Sequence, residues 1–114
     1  MTTALFIRHK TLPGKRQEVQ AVWLKHMAPA VQDNPEHLAY YYCFDDDEAD
    51  AICAFQQYST QEAATAFLST ARYASYLQEV ESLISGPPQV TRLTPQWTKP
   101  GAEPHSQEDK AGLK

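Results

Sequence analysis

Three consecutive tyrosines, Tyr40, Tyr41 and Tyr42, lie within the apolar segment HLAYYYCF, residues 37–44. Successive side chains of a β-strand point to opposite faces of its sheet, so this segment places aromatic rings on both faces. A strand with one solvated face alternates apolar with polar side chains instead. The sheet that contains this strand therefore needs a cover on each of its two faces.

The N-terminal half of the chain predicts a strand, a helix and then the tyrosine strand. Residues 4–11 have the composition of a strand, and Pro13-Gly14 ends it with a turn. Apolar residues recur at helical spacing over residues 15–33, where Pro29 predicts either a kink or an early end of the helix. The tyrosine strand, residues 37–44, follows directly.

The C-terminal half predicts a strand, an interrupted helix and a final strand. Residues 51–58 should form an antiparallel hairpin with the tyrosine strand across the acidic turn DDDEAD. Ser59 is the expected N-cap of the next helix, with Glu62 reaching back to it in a capping box. A break near residues 69–72 divides this helix, and residues 89–95 predict a last strand at a sheet edge.

The predicted order is strand, helix, strand, strand, helix, strand, which is the split βαβ or ferredoxin-like arrangement. It gives an α+β fold with one four-stranded antiparallel sheet and the helices on one face. The other face would be bare in a monomer, although the sequence supplies aromatic residues for both faces. The simplest cover is the sheet of an identical subunit, so we expect a homodimer through this face, a dimeric α+β barrel.

Length and composition indicate one small soluble domain. The chain has 114 residues, and we place the domain at residues 1–97, followed by a flexible polar C-terminal tail at residues 98–114. No apolar run approaches the roughly 18 residues that span a bilayer, and the N-terminus lacks a signal-peptide pattern. We therefore expect a cytoplasmic protein without membrane contact. A net charge of −4 argues against a nucleic-acid partner.

Neither metal nor cofactor motifs are evident, and the cysteines are few. Cys43 and Cys53 do not make a zinc site or a disulfide framework, and we expect two reduced, buried thiols, although a disulfide across the hairpin stays open. The acidic turn lacks the glycine and the twelfth-position glutamate of a calcium loop. No phosphate-binding loop and no flavin or nicotinamide fingerprint is present, so no metal and no cofactor is expected.

Short motifs at the element boundaries carry a family resemblance. Pro13-Gly14-Lys15 follows the first strand as in a strand-x-P-G-K helix start, and residues 34–41, NPEHLAYY, are similar to x-P-G-x-L-x-Y. Residues 55–84 are similar to the pattern E-x-W-x-x-x-E-A-x-x-x-H-x-x-S-x-x-F. Over about residues 3–95 the chain resembles the antibiotic biosynthesis monooxygenase (ABM) family of dimeric α+β barrels.

The chain departs from the family pattern at positions that bear on the reaction. Glu36 stands in place of a glycine, Gln57 and Tyr58 in place of a glutamate and a tryptophan, and Phe67 in place of a histidine. The iron-ligating histidine of the haem-degrading branch falls on Leu77. Leucine cannot ligate iron, so haem degradation is disfavoured.

The resemblance implies oxidation of a small electron-rich aromatic, such as a quinol or an anthrone-like compound, by O₂ without metal or flavin. In such a reaction a base removes a phenolic proton, and His26 or His9 is the candidate base. Arg72 or a tyrosine hydroxyl would stabilise the resulting oxyanion. The candidate pocket residues are Trp23, Phe67, Tyr73 and Tyr76.

Each of these assignments competes with a structural interpretation. His26 lies on the apolar stripe of the first helix and His9 on the first strand, where either can serve packing alone. The whole chain has an alternative as well: a non-catalytic dimeric barrel that binds a small ligand or acts as an accessory subunit. A pocket packed shut by Phe67 and the tyrosines would favour that alternative. An open pocket with a histidine at its wall would favour the enzyme.

Overall fold

The computed structural model describes residues 2–100 and confirms the predicted α+β, ferredoxin-like fold. Its elements are β1 (Thr3–Lys10), α1 (Arg16–Gln32), β2 (His37–Phe44), β3 (Ala51–Tyr58), α2 (Gln61–Leu68), α3 (Ala71–Val80), a 3-10 helix (Glu81–Leu83) and β4 (Gln89–Leu93). The strands form one antiparallel sheet in the order β2-β3-β1-β4, with β4 at an edge as predicted. The observed bounds of β2 and β3 match the predicted hairpin strands.

The start of α2 differs by one residue from the predicted capping box. Thr60, and not Ser59, is the N-cap, and its side chain accepts a hydrogen bond of 3.0 Å from the backbone N–H of Ala63. The backbone N–H and the hydroxyl of Ser59 instead bind Glu36, in the segment before β2. Ser59 is thus held at the end of β3, and the helix begins only after it.

The predicted break between the second and third helices is confirmed and depends on Thr70. Its side-chain oxygen accepts from the backbone N–H of Tyr73 at 3.2 Å, as the N-cap of α3. The same hydroxyl donates to the carbonyl of Phe67 at 2.8 Å, in the last turn of α2. One threonine therefore ends one helix and starts the next. In α1, by contrast, Pro29 does not end the helix, which continues to Gln32.

The core lies between the sheet and the helices. Alternate residues of β1 and β3 are buried on this inner face, and apolar residues of all three helices pack onto them. The central members of this core are Leu5, Ile7, Val19, Met27, Ile52, Ala54, Tyr58, Ala64, Phe67, Tyr76 and Val80. On β2, Tyr40 and Tyr42 pack against this core, whereas the Tyr41 side chain on the other face is 63% exposed.

We call the sheet face that carries Tyr41 the outer face. The register pairs Tyr41 with Phe55 and Cys43 with Cys53, so these four side chains share that face. Both cysteines are free thiols, and Cys43 is exposed. The expectation of two buried thiols is wrong for Cys43, because none of the helices within residues 2–100 covers the face on which it lies.

The predicted tail, residues 98–114, lies outside the described residues from residue 101 onward. Beyond β4, the described chain runs past Trp97, whose side chain is 79% exposed. Among the residues described, no helix combines the length and the apolar character needed to cross a membrane.

The acidic turn between β2 and β3 is tied to the start of α1 by Arg16. Its Nη1 atom donates hydrogen bonds to the carbonyls of Asp45, Glu48 and Ala51, at 2.9, 3.1 and 3.1 Å. The guanidinium also lies over the ring of Phe44, 4.1 Å from its centroid. A single cation thus satisfies three turn carbonyls, so it should hold the hairpin in its observed register.

Replacing Arg16 with methionine should lower the free energy of unfolding by about 2 kcal/mol, because three partly buried carbonyls lose a charged donor. Urea denaturation measures the change. Lys15→Met is the matched control: Lys15 pairs with Glu18 at the surface, and its loss should cost no more than about 0.5 kcal/mol. Equal losses for the two variants would contradict a special role of Arg16.

Candidate functional site

An almost closed void, the inner cavity, lies between the sheet and the helices. Its volume is about 10 Å³, close to the minimum that one water molecule requires. Residues of β1, β2, β3 and all three α-helices form its wall. They are Ile7, His9, Trp23, Met27, Tyr40, Tyr42, Ala54, Gln56, Phe67, Leu68, Tyr73 and Tyr76. The wall is mainly aromatic, with a few polar groups among the rings.

Five of the residues predicted from the sequence meet at this cavity: His9, Trp23, Phe67, Tyr73 and Tyr76. Two others do not line it. The Nε2 atom of His26 lies 2.6 Å from a carboxylate oxygen of Glu79 and joins α1 to α3 at the surface. Arg72 lines a separate groove, which is described below. The two candidate bases are therefore separated, and His9 is the one at the cavity.

His9 is a buried, neutral imidazole. Its side chain comes from the inner face of β1, and burial lowers the pKa of the imidazole from 6.5 to about 4. The Nδ1 atom is buried and has no hydrogen-bond partner among the described residues. The ring packs edge-on against Tyr76, with centroids 5.9 Å apart. At neutral pH this imidazole is uncharged, and Nδ1 is available to a ligand.

Tyr42 supplies a second buried polar atom without a partner among the described residues, its hydroxyl. Its ring stacks on Trp23, with centroids 4.4 Å apart and an interplanar angle of 23°. Burial raises the pKa of Tyr42, so its hydroxyl keeps its proton at neutral pH. The cavity wall thus carries two polar atoms, on His9 and Tyr42, that a ligand could satisfy.

Tyr40 is oriented by two donors. Its hydroxyl oxygen accepts from Trp23 Nε1 at 3.3 Å and from Gln56 Nε2 at 3.5 Å. Because both interactions use the oxygen as acceptor, the hydrogen of this hydroxyl remains available for a further acceptor. Burial raises the pKa of Tyr40 to about 12, which keeps that hydrogen in place.

Sequence reasoning missed His37 and Gln56, which hold this network in place. The Gln56 carbonyl oxygen accepts from the Tyr58 hydroxyl at 2.5 Å and lies 3.3 Å from His37 Nε2. His37 Nδ1 lies 3.0 Å from the amide nitrogen of Asn34, which assigns Nε2 as its protonated nitrogen. One feature of the sequence did point to Gln56: in β3 it occupies one of the alternate positions that otherwise hold buried apolar residues. No such feature pointed to His37, because its contacts with Gln56, Tyr58 and Phe67 join parts of the chain that are distant in sequence.

A second space, the outer groove, opens to solvent beside the end of α1. Its volume is about 330 Å³, and its lining residues are Ala30, Asp33, Asn34, Glu36, Ala63, Ala66, Phe67, Thr70 and Arg72. Phe67 belongs to the wall of both the outer groove and the inner cavity. Phe67, which is 6% exposed, therefore lies between the outer groove and the inner cavity.

His9 should make the free energy of unfolding depend on pH. Its folded pKa of about 4 lies below the ordinary value of 6.5, so the unfolded chain takes up the proton first as pH falls. Stability should therefore decrease from pH 6.5 to pH 4, with a contribution of about 3 kcal/mol from His9.

The check is urea denaturation across this pH range with the His9→Asn variant, which should lose that part of the pH dependence. Ile7→Val, a buried change on the same strand, should lower stability by a similar amount at every pH. An unchanged pH profile in His9→Asn would show that His9 is not the titrating group.

Comparison with known proteins agrees with this architecture. The family model described as antibiotic biosynthesis monooxygenase, ABM, matches residues 3–79. Among solved structures, Rv0793 from Mycobacterium tuberculosis is similar with 20% identity and a TM-score of 0.76, over 86% of this chain and 98% of that one. PA3566 from Pseudomonas aeruginosa is similar with 14% identity and a TM-score of 0.74, over 84% and 95%.

A variant of SnoaB from Streptomyces nogalater, which is described as a cofactor-independent oxygenase, is similar with 14% identity and a TM-score of 0.73. That alignment covers 87% of this chain and 97% of the SnoaB chain. No curated protein sequence matches at a significant level. The structural likenesses show the fold, and the family model covers more than half of the sequence. The chain belongs to the antibiotic biosynthesis monooxygenase family.

Proposed function

We propose that the protein is a cofactor-independent monooxygenase that oxidises a small hydroxylated aromatic compound with O₂. The observation that carries this proposal is a pair of polar atoms, His9 Nδ1 and Tyr42 OH, which have no partner within residues 2–100 and lie on the wall of one aromatic-lined cavity. A buried polar atom without a partner costs about 1–3 kcal/mol, so such atoms are usually satisfied by water or by a ligand. SnoaB, a structural relative, is itself described as a cofactor-independent oxygenase.

His9 is the proposed base. A phenolic hydroxyl of the substrate would donate to Nδ1, which is neutral because burial holds the pKa of His9 near 4. Such a pKa makes the free imidazole a weak base. When the proton moves to His9, however, an anion forms beside the imidazolium, and the opposite charges raise the pKa of His9. Proton transfer is therefore coupled to formation of the substrate anion.

The tyrosine hydroxyls are the proposed oxyanion donors. In the part of the chain that the structure describes, the Tyr42 hydroxyl has no partner, and the Tyr40 hydroxyl uses only its oxygen, as acceptor from Trp23 and Gln56. Burial raises both pKa values, so both hydroxyls stay protonated beside an anion. Donors placed in advance where negative charge develops are a major source of catalysis. The rings of Trp23 and the tyrosines would hold the flat substrate.

The proposed reaction requires no external reductant. For an anthrone-like substrate, R₂CH₂ + O₂ gives R₂C=O + H₂O. In its enol form, which has already lost the first C–H bond, such a substrate is a phenol, and transfer of its O–H proton to His9 makes an electron-rich anion that passes an electron to O₂. One oxygen atom then bonds to the carbon, the second C–H bond breaks, and the other oxygen atom leaves as water. The carbon supplies all four electrons, and the protein supplies the base, the oxyanion donors and a site that excludes water.

A second function is favoured by a different observation, the near closure of the inner cavity at about 10 Å³. Phe67 and the tyrosines fill the space that an aromatic substrate would occupy. This packing supports a non-catalytic barrel that binds a small ligand or acts as an accessory subunit. The two functions differ in one measurable property, which is oxygen consumption.

We expect the purified protein to consume O₂ with at least one member of a panel of quinols, anthrones and hydroxynaphthalenes, after correction for autoxidation. His9→Asn should lower that rate about 100-fold, because the base is lost. Tyr42→Phe should lower it less, because one of two oxyanion donors remains. His26→Asn decides between the two histidines predicted from the sequence and should retain the rate, because His26 pairs with Glu79 at the surface.

A His9→Asn rate equal to that of the wild type would exclude His9 as the base. Binding of panel compounds without any oxygen consumption would favour the non-catalytic function. Calorimetric titration with the same compounds supplies the binding measurement.

We also propose that the outer face pairs with the outer face of a second copy of this chain, as expected for a dimeric α+β barrel. Large apolar side chains cluster there without a cover from the helices: Tyr41, Phe55, Leu93 and Trp97 are all exposed. The same four side chains also border one continuous depression of about 420 Å³. Exposed apolar patches of this kind mark interaction sites, and two-fold symmetry lets one patch serve both subunits.

Tyr41→Arg should weaken the dimer by tenfold or more, since removal of a central aromatic anchor costs on the order of 2 kcal/mol. Sedimentation velocity over a range of concentrations measures the association. Leu24→Arg is the matched control, because Leu24 is a similarly exposed apolar residue, at 55%, on helix α1. A monomeric wild type, or equal dissociation in both variants, would refute pairing through the outer face.

A further inference from the structure

We propose that Phe67 is a plug that occupies the ring site of the ligand and moves into the outer groove when a ligand enters. The proposal rests on the ligand site described above and explains how a cavity of about 10 Å³ can take an aromatic compound. Among the described residues, Phe67 alone lines both the inner cavity and the outer groove.

The surroundings of the Phe67 ring are those that would hold an aromatic ligand. The ring packs edge-on against His37, with centroids 4.5 Å apart and an interplanar angle of 89°. It also contacts Tyr58 at 6.1 Å between centroids, and the side chain is only 6% exposed. Such edge-to-face and tilted arrangements are favourable for any flat aromatic ring, so a ligand ring can replace that of Phe67.

The outer groove has space for the displaced ring of Phe67. Its wall contains three alanines, Ala30 from α1 and Ala63 and Ala66 from α2, whose small side chains leave the space open. The groove volume of about 330 Å³ is large enough for a phenyl ring. A change of side-chain rotamer would bring the ring into this groove without unfolding α2, whose last turn is held by the Thr70 hydroxyl on the Phe67 carbonyl.

Movement of the plug would join the two spaces. The vacated ring site is continuous with the wall that carries His9 Nδ1 and the Tyr42 hydroxyl. A phenolic ligand would then place its ring where Phe67 had been and its hydroxyl toward these polar atoms. Phe67 would therefore limit which compounds enter, and a smaller residue at this position would admit larger ones.

The test measures access to the cavity without relying on turnover. Met27 lines the inner cavity and is 2% exposed, and the chain has no cysteines besides Cys43 and Cys53. In a Cys43→Ser, Cys53→Ser, Met27→Cys background, benzyl methanethiosulfonate would label the new thiol. The thiolate attacks the sulfenyl sulfur, a disulfide forms, and methanesulfinate leaves. Mass spectrometry follows the labelling rate.

Phe67→Ala should accelerate labelling at least about tenfold, because the cavity then opens permanently to the groove. Leu68→Ala is the matched control: Leu68 lines the inner cavity but not the outer groove. It should enlarge the cavity without opening it, and its labelling rate should stay within about threefold of that of the background. If Phe67→Ala does not fold, Phe67→Leu replaces it, with the same direction expected.

Equal acceleration by Phe67→Ala and Leu68→Ala would indicate general loosening and would overturn the plug. No acceleration by the Phe67 variant would overturn it as well. Movement of the ring is seen directly by fluorine NMR of the protein labelled with 4-fluorophenylalanine, with the four phenylalanine signals assigned by substitution. Addition of 2-naphthol should shift the Phe67 signal toward that of an exposed ring and leave that of Phe55 unchanged.

The outcomes separate the plug from the proposed reaction. Accelerated labelling without any oxygen consumption would keep the plug and reject the monooxygenase. Oxygen consumption without accelerated labelling would keep the monooxygenase and reject the plug. A 2-naphthol complex in which the Phe67 signal does not move would also reject the plug.

Discussion

The register between β2 and β3 is the constraint on which the site depends. A shift of one residue would exchange the two faces of a strand, so Tyr40 and Tyr42 would leave the cavity and Tyr41 would enter it. The turn that joins these strands is fixed by hydrogen bonds from Arg16 to the carbonyls of Asp45, Glu48 and Ala51. Arg16, at the start of α1, thereby helps to determine which residues form the cavity wall, although it does not line that cavity itself.

The inner face of the sheet carries more polar groups than a core would need if it served stability alone. Gln56 is buried, yet its amide is satisfied by Tyr58, His37 and Tyr40, so it contributes orientation at little cost. His9 Nδ1 and the Tyr42 hydroxyl, which no described residue hydrogen-bonds, do not belong to that satisfied network. The same wall thus holds both satisfied and unsatisfied polar groups. Unsatisfied buried atoms lower the stability of the fold, so their presence supports a ligand site.

The fold could be predicted from the sequence because its signals are local. The apolar and aromatic runs of β2 and β3, the acidic turn between them and the helix break at Thr70 each depend on neighbouring residues. Part of the site was predictable too, since His9 shares the parity of the apolar positions of β1. The surface position of His26 was not, because its partner Glu79 lies on a different helix, 53 residues away. Nor could any local pattern give the volume of the cavity, which is set by packing from six elements.

The proposed exchange of the Phe67 ring for a ligand ring has a consequence for the chemistry. Because one aromatic ring replaces another against His37 and Tyr58, little is gained from that contact alone. Net affinity must come from the polar atoms of His9 and Tyr42, which select a hydroxylated compound over a plain hydrocarbon. Such an exchange also leaves no stage at which the interior fills with water. In the proposed reaction, an anion formed inside would then be shielded from bulk solvent while it reacts with O₂.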